Sequence, residues 1–350
     1  MIAPLPRFYC PIEPAVHPRA AAIERRAIDW MDQTGLYRDA RERAWGVATR
    51  SAELACRVLP TCPEDKAWLF GAWNYWSFAL TDRIEDEREP SARGIADLTV
   101  HVLRALEEPG YRPPRNRCGE ALADLVDRTR GCTTTVQFRR LADGVRDWLL
   151  AASWRVANAA RHTVPPLDDF AAMLPSLAAA RLFAAWLEIA EGTEVPAKSR
   201  WSNAVQALTS AAGFVVGCDN ALVGHLTGHA GTDHGPDMIT VLMTHRQCSA
   251  AAAVAGTISA RDRVLTRFLG LRNRLAKGAT PGLRRYLKGL GHYVRGCLDW
   301  MNTAPRYATP SRHHVLPVTG ASLNLVISRF PGELAIEPPG MAPVDQWWRL

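Results

Sequence analysis

The chain has 350 residues, 47% of them hydrophobic, which is enough for a sizeable core in one large domain or two smaller ones. Its formal net charge of +7 comes mostly from arginine. These bases alternate with alanine and leucine along helical stretches, and no Lys/Arg block reads as a nucleic-acid arm.

Residues 1–17 are proline-rich and predict an extended strap. The opening "MIAPLPRFYCPIEP" lacks the basic start and apolar run of a signal peptide. From His17 onward the pattern is helical. Residues 18–33 place Ile23, Ala27, Trp30 and Met31 on one side, and Gly35 ends the helix. A second helix is expected over 37–59, closed by Pro60, and a third over 63–88. Further helices are expected over 91–106, 118–129 and 135–160, then over 167–191 with a kink or break at Pro175, and over 198–226. The apolar stretch 170–180 is interrupted by Arg181 and is too short to span a bilayer. After "GHLTGHAGTDHGPD", helices resume over 238–254, 259–275 and 283–302. No run alternates like a strand, so the fold class is all-α. The tail 309–350 is rich in Pro and Gly and reads either as a loosely packed cover or as a partly disordered segment. The eight cysteines form no CxxC pair and fit small buried residues in a reducing cytoplasm.

The third helix carries the chemistry. It starts on Pro63-Glu64-Asp65 and runs through Trp68, Phe70, Trp73, Tyr75, Trp76 and Phe78 to the acidic "LTDRIEDERE". Asp82, Glu85 and Asp86 are three and four apart, so all three share one helical face. Acids at a helix C-terminus oppose the helix dipole, a penalty that a bound cation reverses. Hard divalent ions take oxygen ligands in such a cluster. A solvated acidic helix end competes with that reading. His225 and His229 lie four apart, near His234, Asp233 and Asp237, a spacing compatible with zinc. The glycines among them and the lack of a companion Glu favour a polar loop. No GxxxxGK[ST] or GxSxG motif occurs.

Taken together, "HPRA" at His17, Trp30 with Gly35-Leu36, "WNYWSFAL" before the acids, and Arg306-Tyr307 resemble the bacterial class I terpene synthases, or terpene cyclases. The resemblance runs from His17 to Tyr307. It implies one helical bundle around a central apolar cavity over 18–308, between the strap and the tail. In that family an Asp-rich motif and a facing Asn/Asp–Ser/Thr–Glu triad hold magnesium on a substrate diphosphate, which an arginine and an Arg-Tyr pair also grip.

Carried over residue by residue, Thr81 falls at the first aspartate position, Asp82 at the second and Glu85 at the last, with Asp86 trailing. A slip of one residue would give the work to Asp82 and Asp86. The triad position falls on Asp219, with Asn220 beside it, followed by Val223 and Thr227 where Ser/Thr and Glu belong. Leu174 stands at the upstream arginine, with Arg181 two turns on. Trp300 precedes Arg306-Tyr307 by the family's interval. The resemblance thus implies metal ligands among Asp82, Glu85, Asp86, Asp219 and Asn220. It implies diphosphate donors in Arg306 and Tyr307, and a pocket formed by Trp73, Phe78, Trp300 and Arg181. The implied activity is ionisation and cyclisation of a prenyl diphosphate with Mg2+. Composition points to no nucleic-acid partner and no membrane span, and a homodimer stays open. Two other readings stay open. One is diphosphate-independent chemistry on a preformed terpenoid, with a carboxyl as general acid; the other is a non-catalytic binding subunit.

Overall fold

Side-chain caps decide where seven of these helices begin. The computed structural model describes residues 7–86, 92–228, 235–309, 320–332 and 336–350, with the backbone alone at 84–86 and 92. The helices are α1 (Ala20–Gln33), α2 (Ala40–Val47), α3 (Ser51–Val58), α4 (Glu64–Asp86), α5 (Ala92–Glu107), α6 (Arg117–Arg130) and α7 (Thr135–Ala160). They continue as α8 (Leu167–Leu177), α9 (Ala180–Glu191), a short α10 (Ala197–Arg200), α11 (Asn203–Thr227), α12 (Met238–Arg246), α13 (Ala250–Lys277) and α14 (Pro281–Thr303). Asp39, Asn116, Ser202, Asp237, Ser249 and Thr280 each accept an N–H from the first turn that follows. Thr134 and Gln137 complete a capping box at α7.

Three breaks differ from the sequence expectation. The helix expected over 37–59 is two, α2 and α3, because Arg50 takes a left-handed φ of 49°. Thr49 stabilises that corner by donating to the Gly46 carbonyl at 2.7 Å and sharing a hydrogen with Ser51. The 167–191 stretch breaks after Leu177 and not at Pro175, which lies inside α8. Ala179 has a φ of 54°, and Tyr293 donates to the Ala178 carbonyl at 2.6 Å. Near 250, Gln247 turns left-handed and Ser249 caps α13, so the break falls earlier than the expected one at 255–258.

Strands do occur, against expectation. β1 (Arg7–Tyr9) pairs in parallel with β2 (Val326–Ser328), which ties the N-terminal strap to the C-terminal tail. Three-residue strands are too short to show alternation in the sequence. The described part of the tail packs firmly: Met341, Val344 and Trp347 are buried, and Trp347 meets Phe214 edge-on with ring centres 6.1 Å apart.

The core is aromatic where α4, α9 and α14 meet. Phe70 stacks on Trp186 at 4.9 Å, Phe183 lies 5.1 Å from Phe70, and Tyr293 lies 4.6 Å from Phe183. Gly144 lets α7 press onto α9, since a Cβ there would stand 2.7 Å from the Leu182 backbone. Two stretches, Leu167–Glu191 and Asn203–Thr227, are apolar and long enough to cross a membrane by composition. Most of their residues lie inside the bundle, which accounts for that apolarity; the first is also broken into α8 and α9.

His292 on α14 is pushed down to about 4 by burial, aided by the charges of Lys288 and Arg272. The unfolded chain, with an ordinary imidazole near 6.5, therefore binds the proton more readily than the folded one. The stability contributed is complete above that ordinary value and drains away as the pH falls toward about 4. Melting curves of the parent should therefore lose more between neutral and mildly acidic pH than those of His292→Gln. Parallel curves for the two proteins would contradict this.

Candidate functional site

The last turns of α4 deliver Phe78 and Asp82 to one place, and the turn after α14 delivers Arg306 and Tyr307 to the same place. The Arg306 guanidinium forks onto Asp82, with Nη2 donating to Oδ1 at 2.5 Å and Nη1 to Oδ2 at 3.2 Å. Asp82 is 3% exposed, so this pairing offsets both its burial and the unfavourable end of the α4 dipole. The same guanidinium lies over Trp45 at 5.2 Å and Phe78 at 5.4 Å. The Tyr307 hydroxyl donates to Asn220 Oδ1 at 3.2 Å, which brings α11 to the site. Trp300 completes it, with its ring 5.6 Å from Phe78 and 5.1 Å from Tyr307.

The α2–α3 corner holds this arrangement in place. The Arg306 backbone N–H donates to the Ala48 carbonyl at 3.1 Å, and the Trp300 indole N–H donates to the Thr49 carbonyl at 2.6 Å. Sequence reasoning missed Trp45, Ala48 and Thr49. The available signal was Thr49-Arg50-Ser51, a polar triplet inside an otherwise helical run.

Other expected site residues lie elsewhere. Trp73 is turned to α6, donating its indole N–H to Thr129 at 2.9 Å and packing on Trp76. Arg181 is half exposed, with its guanidinium 4.0 Å from Asp147 on α7, and Leu174 is buried. Asp219 is fully buried and doubly bonded by Arg261 of α13, with Nε to Oδ1 at 2.7 Å and Nη2 to Oδ2 at 3.2 Å. Arg261 also donates to Asp262 at 2.9 Å and to the Tyr9 carbonyl of β1. Burial pushes the Asp219 carboxyl above the usual range, and Arg261 opposes that. Asp219 and Asn220 therefore point apart: the acid enters a core ion pair and the amide reaches the site. The side chains of Glu85 and Asp86, together with His229, Asp233 and His234, lie outside the described residues. Of the remaining histidine-loop residues, His225 is on α11 and Asp237 caps α12.

The metal set of the family does not fit the donors described. With Asn220 facing the site, the residues four and eight further on are Gly224 on α11 and Gly228 just past its end, where the triad needs oxygen ligands. A Cβ at either glycine would meet nothing within 4 Å. Thr81 spends its hydroxyl on the Ser77 carbonyl at 3.0 Å, and both Asp82 oxygens face Arg306. Among the described residues no three of His, Cys, Asp and Glu gather as a metal group. No catalytic step is therefore derived through a metal.

Known proteins agree with this architecture. Residues 72–267 match the family described as terpene synthase family 2, C-terminal metal binding. Spiroviolene synthase of Streptomyces violens is 34% identical over 98% of this chain and 96% of its own length. Phomopsene synthase of Allokutzneria albata is 30% identical over 99% of this chain and 97% of its own. The crystal structure of the SVS_A2 protein, from ancestral sequence reconstruction, superposes with a TM-score of 0.86 at 34% identity, covering 99% of this chain and 98% of that one. An aromatic wall topped by an Arg-Tyr rim, on a helical bundle shared end to end with these proteins, places this chain in the bacterial class I terpene synthases, as a lyase of the terpene cyclase kind.

Proposed function

We propose that the enzyme draws diphosphate from a prenyl diphosphate and cyclises the resulting carbocation. The observation that carries this reading is the arrangement of Arg306 and Tyr307 directly over the Phe78–Trp300 wall. Guanidinium and phenol both donate, as phosphate oxygens require, and the guanidinium does so as a fork. The ring faces of Phe78 and Trp300 stabilise cationic charge and exclude water, so the cation turns inward instead of being quenched. Asp82 holds Arg306 in its forked pose until the diphosphate arrives. Asn220 orients the Tyr307 hydroxyl. Magnesium would supply further charge neutralisation at the leaving group, held by Glu85 and Asp86, since both Asp82 oxygens face Arg306. We place the enzyme in the cytoplasm, where soluble prenyl diphosphates are available.

The test is diphosphate release from prenyl diphosphates of increasing length, with magnesium and with a chelator. Release with at least one length supports the proposal, and no release with any length rejects it. Gly224→Ser adds a hydroxyl on the α11 side, into open space. It should lower the magnesium concentration for half-maximal rate by about fivefold, the equivalent of about 1 kcal/mol. An unchanged magnesium dependence would mean that no ion approaches α11.

A further inference from the structure

On the other flank of Asp82 lies a second, unassigned groove. A cavity of about 520 Å3 opens between α2, α4 and the start of α6, with Arg38, Arg83, Arg117, Trp45 and Asp82 among its walls. That size is within the range of about 300–1,000 Å3 common for small-molecule sites. Next to it is a smaller chamber of about 210 Å3 between α4, α5 and α6, walled by Leu80, Ile95, Leu98, Val102 and Leu122. Arg83 and Asn116 line both, so the two spaces adjoin. None of Phe78, Asn220, Trp300, Arg306 or Tyr307 lines either one.

Among the described residues the charges of this groove do not balance. Glu42 is paired to Arg38 and Asp82 to Arg306. Arg83 and Arg117 have no carboxylate partner among the described residues; Arg117 donates to the Tyr37 carbonyl at 2.6 Å, leaving other guanidinium N–H groups free to donate. Arg117 is also the first residue of α6, so its charge adds to the positive end of the helix dipole. Clustered bases at a helix N-terminus are disfavoured until an anion joins them. A second observation points the same way. Trp45 is 5% exposed, and its indole N–H, in a residue that lines the larger cavity, has no acceptor among the described residues. A buried donor left unpaired costs stability, which an acceptor oxygen in the cavity would remove.

We propose that this groove binds a free prenyl phosphate or diphosphate. The head would lie among Arg38, Arg83, Arg117 and Trp45, and the apolar tail would lie in the chamber behind Leu98, apart from the site under Arg306. Two adjoining spaces, one basic and one apolar, suit a molecule with those two ends, and neither a bare phosphate nor a neutral hydrocarbon would use both. The inference does not depend on turnover at the first site.

Titration calorimetry with geranyl thiolodiphosphate, whose carbon–sulfur bond resists ionisation, reads both sites at once. The parent should bind two equivalents. Arg83→Ala with Arg117→Ala should weaken one of them by at least about tenfold, through loss of charge-assisted bonds. Leu98→Trp, which fills the chamber, should abolish the same one while leaving binding of inorganic pyrophosphate at the arginines. Arg306→Ala should spare it. If the parent binds a single equivalent that is lost with Arg306→Ala, the second site does not exist. If the Arg83/Arg117 pair and Leu98→Trp both leave two equivalents intact, the groove is not where the second molecule sits. A single equivalent in the parent that survives Arg306→Ala and is lost with the Arg83/Arg117 pair would count against the catalytic reading and leave this one standing.

Discussion

Arg306→Ala should lower the rate of diphosphate release by about 10²–10³-fold, the usual consequence of removing one donor aimed at developing charge. The expectation rests on geometry: Arg306 is the forked donor at the rim of the aromatic wall, and its guanidinium already lies over Phe78 at 5.4 Å. The same substitution takes the forked donor away from the buried Asp82 carboxylate, so stability falls as well, by about 1–3 kcal/mol. The two effects separate in a second variant. Asp82→Asn in the Arg306→Ala background removes the charge that Arg306 balanced and should restore much of the lost stability, while turnover stays low. Arg306→Lys keeps the charge and loses the fork, so it should fall between parent and Arg306→Ala. Turnover of Arg306→Ala within about threefold of the parent, well below the loss of a single aimed donor, would remove Arg306 from the chemistry.

Much of this was legible before any coordinates. The helices follow from apolar periodicity and caps, and α7 matches its expected bounds because Thr134 and Gln137 announce its start. The family resemblance set Arg306 and Tyr307 beside Trp300, and the structure brings Tyr307 against that ring and Arg306 over Phe78. Phe78 and Asp82 followed from the register of α4. The failures have physical reasons. Trp73 and Phe78 are both aromatic and five apart on α4, and only packing against α6 decides that Trp73 turns away. Nothing in the sequence of residues 218–220 says which of two adjacent polar residues faces inward, because the partner of Asp219 is Arg261, far along the chain on α13. The α2–α3 corner was hidden by a continuous helical pattern and is set by one left-handed residue, Arg50. The β1–β2 pairing joins segments from opposite ends of the chain, which no local pattern encodes.

That misreading of Asp219 yields the second large expectation, which concerns stability. Arg261→Met removes the partner of a fully buried carboxylate and the donor to both Asp262 and Tyr9. Breaking a buried pair from one side costs about 3–5 kcal/mol. In a chain of this size that is a fall of about 4–7 °C in melting temperature. Asp219→Leu together with Arg261→Met should recover part of the loss, because replacing both partners leaves no charge behind. Recovery stays incomplete, since Tyr9 and Asp262 lose a donor in both variants. Asp219→Asn separates this structural role from that of a metal ligand. A ligand's loss would raise the magnesium needed for half-maximal rate without a matching fall in stability. A core partner's loss lowers the melting temperature and leaves the magnesium dependence of the folded fraction unchanged. The geometry predicts the second outcome, because both Asp219 oxygens are committed to Arg261 and only its neighbour Asn220 reaches Tyr307.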